Sequence, residues 1–170
     1  MLIQLDALKT LPVATAEDGR LGRILDLLID PDTGELAGFW VKLDGLFAPR
    51  RALSSRDVVA YDPRAIVIRS DDVLLPLGEI KPLEALDARR DHWIGKAVRT
   101  EAGEQLGRVE NLVIDTDLEV VAKLHVTSLF GPERVLARTD IVRVTRQAIL
   151  VRANIASVPE TVGAADTATA

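Results

Sequence analysis

One stretch of this chain occurs twice, and that repeat limits what the chain can fold into. Residues 19–30 read Gly-Arg-Leu-Gly-Arg-Ile-Leu-Asp-Leu-Leu-Ile-Asp, and residues 103–115 carry the same passage with Gln105 inserted. The alignment extends over two blocks, in which residues 12–41 match 96–126 and residues 46–69 match 129–152. More than a third of the aligned pairs are identical. The chain therefore contains an internal duplication, and it should fold as two similar units.

The composition narrows the classes of function. Of the 170 residues, 48% are hydrophobic and 28% are charged, as in an ordinary soluble protein with a buried core. Aromatic residues make up only 4%, so the core must be aliphatic. The net charge of -5 argues against binding to DNA or to an anionic membrane surface. The absence of cysteine excludes disulfides, cysteine-based zinc sites and thiol catalysis.

The distribution of apolar residues bears on localisation. No apolar run reaches the ~18 residues that a membrane-spanning helix needs. The first residues also lack the basic segment and long apolar run of a secretory signal. We therefore expect a cytoplasmic protein with no membrane span.

Short apolar runs separated by turn residues predict β-strands. Residues 21–29 are almost continuously apolar, and residues 30–35 contain the proline and glycine of a tight turn. Residues 36–43 alternate, which sends successive side chains to opposite faces of a strand. The predicted core face holds Ala37, Phe39, Val41 and Leu43, and the predicted outward face holds Leu36, Gly38, Trp40 and Lys42.

Many short strands at even spacing predict a mainly β chain with two tandem small antiparallel β-barrels. The one run with helical character, residues 83–90, predicts a short connector helix between them. The predicted boundaries are 1–78 for the first unit, 79–92 for the connector, 93–158 for the second unit and 159–170 for a disordered tail. Because residues 21–29 are apolar on both faces, we expect the two units to pack against each other as a pseudo-dimer.

The repeated stretch resembles the PRC-barrel family, whose pattern is Gly-x-Leu-Gly-x-h-x-Asp-x-h-h-Asp (h, apolar). The matching residues are Gly19, Leu21, Gly22, Asp26 and Asp30 in the first unit, and Gly103, Leu106, Gly107 and Asp115 in the second. Asn111 replaces Asp26 in the second copy. A later feature also appears twice, as Leu46-Phe47-x-Pro49-x-Arg51-x-Leu53 and as Leu129-Phe130-x-Pro132-x-Arg134-x-Leu136. The resemblance covers nearly all of residues 8–155.

The resemblance implies a small, strongly bent β-barrel for each unit. Relatives occur as the cytoplasmic part of a photosynthetic reaction-centre subunit and as the C-terminal domain of a ribosome maturation factor. In both settings the barrel binds or organises other proteins and is not known for catalysis. A fold alone does not determine function, so this remains an expectation.

The residues themselves indicate no catalytic, cofactor or metal site. Acidic residues cluster around the first turn: Asp26, Asp30, Asp32 and Glu35. Their spacing lacks the glycine and distal glutamate of a calcium-binding EF-hand loop, and aspartate is a common turn residue. The two histidines, His92 and His125, stand in no metal-ligand or nucleophile–base spacing, and a surface position is expected for both.

Several arginines recur in both units, including Arg51/Arg134 and Arg69/Arg152. Pairing with Asp57 and Asp140 explains this recurrence better than an RNA-facing patch does.

The candidate interaction surface is the predicted outward face of the alternating strand at residues 36–43 and of its equivalent at residues 120–126 in the second unit, which alternates in the same way. It comprises Trp40, Lys42, Lys123 and His125. Tryptophan is favoured at interfaces, so Trp40 has three interpretations: contact with the other unit, contact with another chain, or a minor core under the connector. Phe47 and Phe130 are expected to plug the barrels at hairpin tips.

Three functions follow from these observations. The favoured one is a non-catalytic adaptor or scaffold that binds protein partners, with a homo-oligomer as one form of that binding. The second is an RNA- or ribosome-associated factor that uses the surface arginines. RNA is less favoured as a partner than protein. The third is a small-ligand binder or enzyme with a site between the barrels.

Overall fold

The computed structural model of the chain describes residues 1–17 and 19–155. The predicted disordered tail, residues 159–170, lies outside these described residues. The chain begins with strand β1 (Leu2–Gln4) and helix α1 (Leu5–Thr10). Two β-sheets follow, one built from each repeat.

The first repeat forms a six-stranded sheet. Its strands are β2 (Pro12–Thr15), β3 (Gly19–Ile29), β4 (Leu36–Leu43), β5 (Arg50–Ser54), β6 (Val58–Asp62) and β7 (Ala65–Ile68). They lie in the order β5-β4-β3-β2-β7-β6. Helix α2 (Lys81–Arg89) then leads to the second repeat.

The second repeat reproduces this sheet strand for strand. Its strands are β8 (Ala97–Thr100), β9 (Gln105–Asp115), β10 (Val120–Thr127), β11 (Arg134–Ala137), β12 (Ile141–Val144) and β13 (Ala148–Val151). The order β11-β10-β9-β8-β13-β12 equals that of the first sheet once equivalent strands are matched. The predicted mainly β fold with two tandem units and a connector helix is therefore confirmed. Each sheet adds one parallel pair, β2/β7 and β8/β13, to its antiparallel pairs.

Glycine is required where the long strand of each repeat approaches its neighbour. A Cβ on Gly22 would lie 2.3 Å from the carbonyl oxygen of Lys42, and one on Gly107 would lie 2.1 Å from that of Thr127. No side chain fits at such distances, because non-bonded carbon and oxygen atoms need more than 3 Å. The two glycines of the repeated motif therefore permit close packing of adjacent strands.

The start of the chain crosses from one repeat to the other. Strand β1 pairs with β9, so residues at the beginning of the predicted first unit extend the second sheet. Helix α1 then bridges both sheets. Lys9 forms a 2.9 Å ion pair with Asp26 of β3, and Asp6 accepts a 3.0 Å hydrogen bond from Asn111 of β9. The first repeat therefore has a carboxylate, Asp26, opposite the Lys9 ammonium. The second repeat has an amide donor, Asn111, opposite the Asp6 carboxylate.

The two repeats join through backbone hydrogen bonds at the turns of their long hairpins. The N–H of Leu36 donates to the carbonyl of Glu119 at 2.7 Å, and the N–H of Val121 donates to that of Gly34 at 2.8 Å. In the repeat alignment Leu36 is equivalent to Val121, and Gly34 to Glu119. The two bonds are therefore related by a pseudo-two-fold axis, as in a self-complementary dimer interface. Buried residues from both repeats merge in one hydrophobic core, as the predicted pseudo-dimer requires.

A side-chain bond reinforces this junction. The Tyr61 hydroxyl donates to the Glu119 carboxylate at 2.8 Å. Glu119 has a left-handed φ of 52°, where its equivalent, Gly34, has 74°. A residue with a Cβ is strained there, so the bond to Tyr61 compensates for a conformation that glycine adopts freely. Burial, and then the bond to Glu119, raises the pKa of Tyr61 well above its ordinary value.

The raised pKa of Tyr61 predicts a loss of stability at alkaline pH. A phenol that resists ionisation in the folded state contributes stability below pH ~10, which is lost as the pH rises above the unfolded-state pKa. Above pH ~10 we expect the free energy of unfolding of the native chain to fall with pH more steeply than that of Tyr61→Phe. The difference between the two slopes should reach up to ~1.4 kcal/mol per pH unit. Tyr61 is the only tyrosine, so urea titrations of the two proteins isolate its effect. Parallel pH profiles would contradict the half-buried hydrogen bond between Tyr61 and Glu119.

Candidate functional site

Trp40 does not present an open surface, although strand alternation predicted that it would. Only 8% of the residue is exposed. It packs in a small second core with Leu28, Ala52 and Leu83, the last of which lies on α2. Its indole N–H donates to Asp87 of α2 at 3.1 Å. Of the three interpretations of Trp40, the structure selects the minor core under the connector.

The physical reason for this correction is the second layer that α2 adds. Alternation identifies two faces of a strand but does not reveal what covers the second one. Here Phe39 and Val41 face the main core, while Trp40 faces the connector helix. The Arg50 guanidinium lies 4.2 Å from the centre of the Trp40 ring and covers it from the β5 side.

The other three residues of the candidate surface do not form one exposed surface either. His125 is buried at 7% exposure, with its Nδ1 3.5 Å from the Glu133 carboxylate, so its expected surface position is wrong. Lys123 is half-buried, and of the four residues only Lys42 is exposed. The buried rings of Trp40 and His125 cannot serve as exposed anchors. His92, by contrast, lies at the surface as expected.

The acidic turn residues act as turn residues. Asp30 accepts backbone hydrogen bonds from Asp32 at 2.8 Å and Thr33 at 3.3 Å. Asp115, its equivalent, accepts bonds from Asp117 at 3.0 Å and Leu118 at 3.4 Å. Within the described residues no group of three or more acidic or histidine side chains could hold a metal ion.

Among the described residues, the recurring arginines do not form the predicted ion pairs with Asp57 and Asp140. Asp140 instead accepts a hydrogen bond from the backbone N–H of Ala137 at 3.1 Å. In the described part of the chain, neither Arg51 nor Arg134 forms an ion pair with a carboxylate. Other arginines are engaged at the junction: Arg138 donates to the carbonyl of Thr33.

A cavity of about 320 Å³ lies between the repeats. Leu27 and its equivalent Leu112 both line it, as do Trp93 and the ion-paired Lys9 and Asp26. The Trp93 indole N–H donates to the carbonyl of Pro31 at 3.0 Å and so fixes one wall. The volume of this cavity is at the lower end of the range found for small-molecule binding sites.

The most exposed apolar side chains lie at the tips of the β4–β5 and β10–β11 hairpins. Leu46 and Phe47 are 90% and 93% exposed, and Leu129 and Phe130 are 93% and 100% exposed. The expectation that the two phenylalanines plug the barrels is therefore wrong. We call these pairs the first tip (Leu46, Phe47) and the second tip (Leu129, Phe130).

The sequence contains a signal that the two tips are exposed. Each Leu–Phe pair lies in a short connection that also contains glycine and proline, and connections of this kind run over the surface. A phenylalanine there has no core within reach. Its location in a loop outweighs its apolar character as a guide to burial.

Comparison with known proteins supports the two-unit organisation. The model of the PRC-barrel domain matches the chain twice, over residues 2–81 and over residues 88–156. No curated protein matches the chain significantly. Among the described residues, no helix is long and apolar enough to cross a membrane.

Trp40→Ala should lower the free energy of unfolding of the chain. Removing a buried tryptophan opens a cavity under α2 and leaves Asp87 without its indole partner, which should cost about 3–5 kcal/mol. Phe47→Ala is the matched control, because truncating an exposed aromatic should change stability by less than ~0.5 kcal/mol. Urea denaturation of both variants measures the difference. Equal stabilities would contradict the packing of Trp40 against α2.

Proposed function

Because the chain belongs to the PRC-barrel domain family, we propose that it is a non-catalytic adaptor or scaffold that binds other proteins. The observation that carries this proposal is the exposure of a Leu–Phe pair at the same hairpin tip in both repeats. The proposed setting is the cytoplasm, where no cysteine pairing is needed for folding.

The energetics of the tips favour association. Burying a leucine or phenylalanine side chain removes apolar surface from water and is worth about 1.5–3 kcal/mol for each residue. At the tips this free energy is not gained by folding, because the side chains stay in solvent. It is available to a partner that provides an apolar pocket, and aromatic side chains are frequent anchors of protein interfaces.

The engaged charges of the inter-repeat cavity support the non-catalytic part of the proposal. Lys9 and Asp26 neutralise each other, and Asp91 is held at 2.6 Å by Lys96. The Lys96 ammonium also donates to the carbonyl of Thr145 at 2.7 Å. A proton-transfer site usually needs a titratable group free to face substrate. Among the described residues that line this cavity, His92 is the one titratable group without a hydrogen-bond or ion-pair partner, and it has no second free acid or base beside it.

The RNA-binding alternative has weaker support. Arg138 and Arg146 donate to backbone carbonyls of Thr33 and Arg89, and Arg89 makes two bonds to Asp32. These three arginines are engaged at the junction, so a phosphate-binding surface would have to use others, such as Arg51 and Arg134. One exposed phenylalanine at each tip is also fewer than the successive stacking platforms that single-stranded RNA uses.

Comparative affinity purification tests the proposal. The tagged native chain and a double variant, Phe47→Ser with Phe130→Ser, are recovered from cells that make the protein, and co-purifying proteins are quantified. We expect at least one protein to be depleted about tenfold or more with the variant, because loss of ~1.4 kcal/mol of binding free energy reduces affinity tenfold.

Leu118→Ser is the matched control, since Leu118 is 71% exposed but lies at the junction turn, away from both tips. It should retain the same proteins as the native chain. Identical protein sets for the native chain and the tip variant would refute the tips as docking elements. Salt-sensitive recovery of RNA, equal in all three proteins, would favour the arginine-based alternative.

A further inference from the structure

We infer that the protein is bivalent, and that its two tips bind two copies of one partner protein, one on each side of the inter-repeat junction. This inference rests on the proposed function and specifies the partner. Three observations carry it: the shared chemistry of the tips, their exposure, and the direction in which the junction points them.

The two tips share their side chains although their surroundings have diverged. Both retain Leu-Phe-x-Pro-x-Arg, whereas Arg50 of the first repeat is Glu133 in the second. The hairpin also differs in length, because residues 42–45 face only residues 127–128. Burial explains why core positions agree between repeats, but it cannot explain agreement at side chains that are at least 90% exposed. A common contact outside the chain accounts for it.

The junction directs the tips away from each other. Glu35 and Val120 form an antiparallel bridge at the pseudo-two-fold axis, and β4 and β10 both start there. Antiparallel strands that leave a common point run in opposite directions. Each strand has 8 residues, or about 27 Å at ~3.4 Å per residue. The tips therefore lie on opposite sides of the bridge, where separate partner molecules can reach them.

The shared residues define the chemistry of the partner. An apolar pocket is needed for the phenylalanine ring and the adjacent leucine. A carboxylate at the rim would suit Arg51 and Arg134: neither guanidinium forms an ion pair within the described residues, and Arg51 makes only a 3.4 Å hydrogen bond to the carbonyl of Arg50. A lipid surface fits less well: Lys42 and Arg50 flank the first tip, but Glu133 flanks the second, so the tips lack a common attraction to anionic headgroups.

Photo-crosslinking at the tips tests the inference with the full chain. The photoreactive amino acid p-benzoylphenylalanine is placed at position 47, at position 130, or at both, and the cells that make the protein are irradiated. Each singly labelled chain should gain one copy of a polypeptide, and peptide sequencing should identify the same polypeptide at both positions. The doubly labelled chain should gain two copies. Position 59 serves as the control, because Val59 is 61% exposed but lies on β6.

The outcomes separate the inference from the proposal on which it rests. Different polypeptides at the two tips, or an adduct at one tip only, would overturn bivalency and leave protein binding intact. Adducts with a second copy of this chain would overturn the inference of a distinct partner. No polypeptide at either tip, or attachment to lipid alone, would overturn both the inference and the adaptor function. The same polypeptide at position 59 would also count against specific docking by the tips.

Discussion

The reciprocal hydrogen bonds between Leu36 and Glu119 and between Val121 and Gly34 determine the organisation of the molecule. They join the two long hairpins at equivalent points and so create the pseudo-two-fold axis. Around that axis the apolar faces of β3 and β9 can share one core. A small β unit of about 70 residues buries a limited fraction of its surface, and fusion of two such units increases the buried fraction. The junction therefore makes the duplicated sequence one folded body.

Asymmetric elements complete this symmetric framework. Strand β1 extends the second sheet, whereas α2 covers Trp40 on the outer face of the first. Helix α1 contacts both repeats through side chains suited to Asp26 and Asn111. These additions enclose Leu28 and Trp40 on the outer face of the first sheet. The hairpin tips remain the most exposed apolar features of the described chain, and both repeats have kept them.

The sequence predicted the parts of the fold that depend on local pattern. The duplication predicted two equivalent sheets, and Asp30 and Asp115 behave as the turn residues they resemble. Periodicity could not show that α2 would cover Trp40, because it describes one strand and not the layer packed on it. The six-residue α1 was missed, since only Leu5 and Leu8 mark its buried side. The exposure of Phe47 and Phe130 follows from their position in a turn, which apolar character alone does not reveal.

If the tips bind a partner, Phe47 and Phe130 are exposed in the free protein and covered in the cell. Hydroxyl-radical footprinting measures this directly by comparing side-chain oxidation in the purified chain with that in native extract. We predict high reactivity of Phe47 and Phe130 in the purified chain and comparable protection of both in extract, with Leu118 unchanged. Low reactivity in the purified chain, or equal reactivity in both samples, would contradict the account.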